Sequence, residues 1–133
     1  MNKLPGTITQ IQQSGAVMLV DVDVNGHVFS AMLIKSVSNP QWLKTGNNID
    51  LVFKETEVSL AKGLSGKISM RNRMMCKVLK IDRGALLSTI KMQFQEFVIT
   101  SAITTRAVDS LQIIIGEEIE ALVKANEISL MKK

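Results

Sequence analysis

The chain is 133 residues long and contains no stretch approaching the roughly 18 uninterrupted apolar residues of a membrane helix; its opening, Met1 to Gly6, lacks the apolar region of a signal peptide. A single cysteine, Cys76, excludes an internal disulfide and fits a reducing cytoplasm, and a single histidine, His27, sits beside a turn signal rather than among catalytic or metal-ligating partners. The formal charge of +4 belongs to the second half: residues 1–66 balance five lysines against five acids, whereas residues 67–133 set eleven Lys and Arg against seven acids.

The elements read as strands first. Thr7 to Ile11 alternates, and Val20-Asp21-Val22-Asp23-Val24 alternates strictly, placing three valines on one face and two aspartates on the other. Asn25-Gly26 supplies the residues of a type I′ hairpin turn, and His27 to Met32 is the return strand. A short helical stretch is predicted over Ser36 to Trp42, then a loop with Gly46, an apolar strand running from Ile49 to the lysine at 54, and a last strand from Val58 to Ala61. After the short joint Lys62 to Gly66 the order repeats. Ile90, Met92 and Phe94 alternate, Gln95-Glu96 turns, Phe97 to Ala102 returns, Thr105 to Leu111 is helical, and strands end at Lys124 and run from Ile128 to Met131.

That repetition is written into the residues. Ile49 to Leu60 returns as Ile119 to Leu130 at an offset of 70, which also pairs Asn2 with Asn72, Ile11 with Ile81 and Gly46 with Gly116. Slips of one residue are read at Gly15-Ala16 against Gly84-Ala85 and at Ser30-Ala31 against Ser101-Ala102. The expectation is an all-β chain of two tandem OB-like five-stranded Greek-key barrels, each with one short helix: module one over residues 1–64 and module two over residues 65–133. Modules of about 65 residues hide little apolar surface. With 46% apolar residues, a homo-oligomer is expected.

Asp21 and Asp23 have no further carboxylate or histidine at ligand spacing and read as the polar face of a hairpin, and the methionines read as core or interface filler, with Met74-Met75 a possible subunit contact. Lys67, Arg71, Arg73, Lys77, Lys80 and Arg83 are accompanied only by Asp82, as in a basic strand, an anion site or a nucleic-acid surface. Within this run Ser69-Met70-Arg71-Asn72 gathers a hydroxyl, a guanidinium and an amide beside Gly66. Donors without carboxylates make an anion nest. Lys54 and Lys124 recur at one position amid apolar neighbours, which favours a functional role over a lysine snorkelling to water.

Here the chain resembles the Mop, or molbindin, family of molybdate-binding domains (TOBE-type). Its modules open with Ser-Ala-Arg-Asn, carry a Gly-Ala turn and a Thr-x-x-Ser stretch, and end on Ile-Lys-Ala. Module two has Ser69-Met70-Arg71-Asn72, Gly84-Ala85, Thr104-Thr105-Arg106-Ala107 and Val123-Lys124-Ala125-Asn126. The resemblance implies an oxyanion, molybdate or tungstate, held between modules by Ser69, Arg71 and Lys124 on one side and Thr104 on the other, with Met70 and Asn72 in the same motif. Ala107 stands where the family often has serine. In module one, Leu33 replaces the threonine and Ser36 keeps the serine, while Asn2 has no Ser-x-Arg before it. Lys54 and Ser36 are then what remains of a first site, and fewer working sites are expected than two full modules would give.

The function implied is a cytoplasmic molybdate or tungstate store or buffer without catalytic activity. A trimer, with six modules about a threefold axis, is preferred to a dimer. The alternatives are a ligand-sensing module of a molybdate-responsive regulator or transporter, and an OB-type nucleic-acid binder. The latter ordinarily stacks bases on aromatics. With no tyrosine, one tryptophan, and Phe29, Phe53, Phe94 and Phe97 all on strands, nucleic acid is the weakest of the three.

Overall fold

In a computed structural model, which describes residues 1–34 and 39–133, the chain is built mostly of strands. They are β1 Asn2–Ser14, β2 Val17–Val24, β3 His27–Ile34, β4 Asn48–Phe53, β5 Ser59–Ala61, β6 Asn72–Arg83, β7 Leu87–Phe94, β8 Phe97–Thr104, β9 Glu118–Val123 and β10 Ser129–Lys132. Among the described residues one α-helix, α1, spans Thr105–Leu111, the segment predicted from sequence. Its counterpart, predicted over Ser36 to Trp42, lies partly outside the described residues. Its remainder, Asn39 to Trp42, holds a turn closed by Leu43 N–H donating to Pro40 O and no helix.

Alternation builds the barrels as expected. Val20, Val22 and Val24 are fully buried on β2, and Phe29 and Ala31 on β3; Ile90 and Met92 are fully buried and Phe94 nearly so on β7. Asn25 and Gly26 take φ of 49° and 89°, the left-handed values that a type I′ turn demands. The first strands are longer than expected because each continues past a bulge, at Ile8/Gln10 in β1 and Val78/Lys80 in β6. At each bulge the chain bonds instead to the glycine loop: Gly46 N–H donates to Ile8 O at 2.7 Å and Gly116 N–H to Val78 O at 2.8 Å.

The sheets are completed crosswise. One runs β10-β4-β1-β2-β3 and the other β5-β9-β6-β7-β8. Each repeat therefore gives its last strand to the other: Ser129 to Lys132 pairs with Val52 to Ile49, and Ser59 to Ala61 with Leu122 to Glu120. The 3-10 turns Glu55–Glu57 and Ala125–Glu127 make the crossings, each followed by a buried branched residue, Val58 or Ile128, both 2% exposed. Burying each contributes about 1.5–3 kcal/mol. One apolar core spans both repeats.

The ladders also correct the register of the duplication. Val17 pairs with Ile34 and Leu87 with Thr104, so the offset is 70 through both hairpins and the slips to 69 and 71 disappear. The shared Gly-Ala and Ser-Ala dipeptides coincide by chance, one residue out of frame. Thr104 thus corresponds to Ile34 rather than to Leu33.

Candidate functional site

The end of β9 and the start of β6 bring Arg71 and Lys124 to neighbouring positions. Asn72 and Val123 are the last pair of the antiparallel ladder, and Arg71, one residue before Asn72, and Lys124, one residue after Val123, flank that pair on the same side. Ser69 and Met70 lead into this point from the joint, Ser69 exposed and Met70 half-buried. Lys124 has left the strand and forms the extended residue ahead of the turn Ala125–Glu127, with φ −68° and ψ 145°. Lys54 does the same ahead of Glu55–Glu57, with φ −75° and ψ 148°. Both lysines are exposed just past strand ends, not within them.

Ion pairing narrows the basic run. Arg73 makes a two-point bond to Glu120 on β9, Nε at 2.6 Å and an Nη at 2.9 Å, which holds the Glu120 carboxyl below the usual carboxylate range and raises Arg73 further. Arg83 is tied to Asp109 at 2.8 Å and Lys80 lies 3.5 Å from Asp82. Among the described residues, Arg71 and Lys124 have no carboxylate partner within ion-pair distance. Two adjacent cations without a counter-charge repel each other, and an anion between them removes that cost.

Asn72 is placed differently from its motif neighbours. It is fully buried, its Oδ1 accepts from Ser30 N–H at 2.8 Å, and its Nδ2 donates to Ser30 O at 2.9 Å and Val123 O at 3.1 Å. Both amide hydrogens are committed, which leaves none for a ligand. Asn2 repeats the arrangement against Thr100, accepting from its N–H and donating to its O, both at 2.8 Å. Each repeat's opening asparagine thus clamps the third strand of the other. The sequence carries a signal for this, because Asn2 recurs at the offset of 70 although the Ser-x-Arg around it does not.

Thr104 stands at the opposite end of β6 from Ser69 to Arg71, since Leu87, its partner, follows the far hairpin. Its Oγ1 caps α1 by accepting from Ala107 N–H at 3.1 Å, which leaves the hydroxyl hydrogen free to donate. It borders a cleft of about 560 Å³ with Ala85, Leu86, Thr105, Arg106 and Asp109. Ser36 lies outside the described residues. The aromatics a nucleic-acid surface would stack on are packed away: Phe29, Phe53 and Phe94 are buried and Phe97 is packed against the core.

A family model for the TOBE domain matches residues 68–130. The molybdenum transport protein ModE of Herbaspirillum seropedicae is 26% identical over 127 residues, which cover 93% of this chain and 47% of that one. Residues 68–130 are a TOBE domain. The chain spans about half the length of that curated relative. Among solved structures, the cytoplasmic molybdate-binding protein ModG, with molybdate bound, superposes with a TM-score of 0.93 at 24% identity, over 99% of this chain and 96% of that one. A molybdate binding protein from Sporomusa ovata is 34% identical over 50% of this chain and 100% of its own length, with a TM-score of 0.49. The Ser69 to Lys124 corner therefore lies within the TOBE domain of a two-repeat chain that shares the ModG fold.

Proposed function

We propose that the chain binds molybdate or tungstate in the cytoplasm as a store or buffer, without catalysing a reaction. The observation that carries this reading is the juxtaposition of Arg71 and Lys124, unpaired with any carboxylate, at the mouth of the Ser69-Met70-Arg71-Asn72 loop. Ser69 and Thr104 add hydroxyl donors, Arg71 and Lys124 add charge, and no acceptor belongs to the set, which suits a fully deprotonated tetrahedral dianion. Titration calorimetry with sodium molybdate tests it, and the absence of any heat of binding would refute it. No helix among the described residues is long and apolar enough to cross a membrane.

The assembly that completes the site is a homo-oligomer, a trimer in preference to a dimer. Thr104 lies too far along β6 to meet Arg71 of its own module, so a neighbouring chain supplies it. Ile34, Leu86, Ile114 and Ile115, between 61% and 84% exposed, support a covered surface. Light scattering is expected to give a multiple of the 14.7 kDa chain, and a monomer at micromolar concentration would contradict this. Spanning half of ModE supports a second reading, in which the same site is the ligand-sensing part of a longer regulator or transporter protein.

A further inference from the structure

We propose that Glu55, standing where module two has Ala125, makes the Lys54 corner repel the anion that the Lys124 corner attracts, so that the two halves of the duplication are electrostatically unequal. The inference rests on the oxyanion reading of the Lys124 corner.

The two corners share a backbone. Glu57 N–H donates to Lys54 O and Glu127 N–H to Lys124 O, both at 3.0 Å, and Val58 and Ile128 close the turns at 3.3 and 3.4 Å onto residues 55 and 125. Residues 55 and 125 are both half-buried. What differs is the side chain that follows each lysine: a methyl group beside Lys124 and a carboxylate beside Lys54. Hydrogen bonds from the Met1 amino group and from its own backbone N–H hold the Glu55 carboxyl below the ordinary carboxylate range, so it is ionised at neutral pH. The surroundings add to it. Lys54 borders a cleft of about 210 Å³ together with Met1, Glu57 and Glu127, the last contributed by the other repeat, so Lys54 and the Met1 ammonium face Glu57, Glu127 and the neighbouring Glu55. Arg71, the cation that partners Lys124, has Met1 at the corresponding position in module one. A dianion approaching Lys54 therefore meets three carboxylates against two cations, one of them the Met1 ammonium already bonded to Glu55, whereas beside Lys124 the place of Glu55 is taken by a neutral methyl.

Molybdate calorimetry on the full chain separates the outcomes. Lys54→Ala is expected to leave affinity within about twofold, whereas Lys124→Ala weakens it about tenfold or more; equal losses from both would overturn the inequality. Ala125→Glu should weaken molybdate binding about tenfold or more while the uncharged Ala125→Gln stays within about threefold, with circular dichroism confirming the fold of each. Wild-type binding left unchanged by Ala125→Glu would overturn the role given to the carboxylate and leave the oxyanion reading standing; silence of the wild type itself would remove both. Glu55→Gln supplies the converse and does not depend on folding of the Ala125 variants. It should add a second, weaker class of sites, and titration curves identical to wild type would contradict the assignment.

Discussion

The Asn72 side chain pairs with the backbone of Ser30 as a neighbouring strand would, accepting from its N–H at 2.8 Å and donating to its O at 2.9 Å. The bond joins the first strand of one repeat to the third strand of the other, and Asn2 makes the same bond to Thr100. With the exchanged strands β5 and β10, these clamps make the two repeats one folding unit.

Asn72→Ala should accordingly destabilise the whole chain. It leaves the part-buried Ser30 N–H and O and the buried Val123 O without that partner, at up to about 1–3 kcal/mol for each group left unsatisfied. Asn72→Asp should cost at least as much, because a carboxylate would face the Ser30 and Val123 oxygens. Urea denaturation checks this. A single transition at lower urea is expected, and unfolding of one repeat ahead of the other would contradict the shared core.

Removing either cation at the corner should act on binding and not on folding. Charge-assisted hydrogen bonds contribute roughly 1.5–3 kcal/mol each, so Arg71→Ala and Lys124→Ala should each weaken molybdate binding about tenfold or more. Because both side chains are exposed and unpaired with any acid among the described residues, melting temperatures should stay close to wild type. Calorimetry and thermal melts on the same samples separate the two effects. Unchanged affinity in both variants would show that the ligand is held elsewhere.

Acid should loosen the fold through Glu120, Glu117 and Glu55, whose carboxyls are all held below their usual range, chiefly by Arg73, Lys62 and the Met1 amino group respectively. A carboxyl with a depressed folded-state pKa contributes stability that is complete above the ordinary glutamate value, about 4.3, and is lost as pH falls through the lower, folded value. Stability should therefore be flat near neutrality and decline below about pH 4.5. Glu120→Gln should make that decline shallower, as read from denaturant midpoints between pH 3 and 7.

The strands, the Asn25-Gly26 hairpin and α1 could be read from residues because each depends on local periodicity or turn chemistry. The strand exchange could not, and the repeat itself is the reason: Val58 to Leu60 and Ile128 to Leu130 are so alike that either segment fits either barrel, and which partner it takes is decided by the crossing at Glu55–Glu57 and Ala125–Glu127. The grouping of Arg71 with Lys124 was legible through motif resemblance and follows from the Asn72–Val123 pairing. The role of Asn72 was misread as ligand donation because its partner, the backbone of Ser30, is 42 residues away and leaves no trace in a local motif. The frame of 70 was blurred by chance dipeptides, which placed Leu33 rather than Ile34 opposite Thr104.

Competition calorimetry at neutral pH bears most directly on a site made only of donors. Molybdate and tungstate present four oxygens that accept, whereas hydrogen phosphate carries an O–H that would be left without an acceptor among Ser69, Arg71, Thr104 and Lys124, at about 1–3 kcal/mol. Sulfate has the right protonation state but shorter bonds, which leaves its oxygens short of donors set for the larger ion. The expected order is molybdate and tungstate bound alike, sulfate weaker, and phosphate unable to displace molybdate at comparable concentration. Displacement of molybdate by equimolar phosphate would place an acceptor in the site and contradict the account built on Ser69, Arg71 and Lys124.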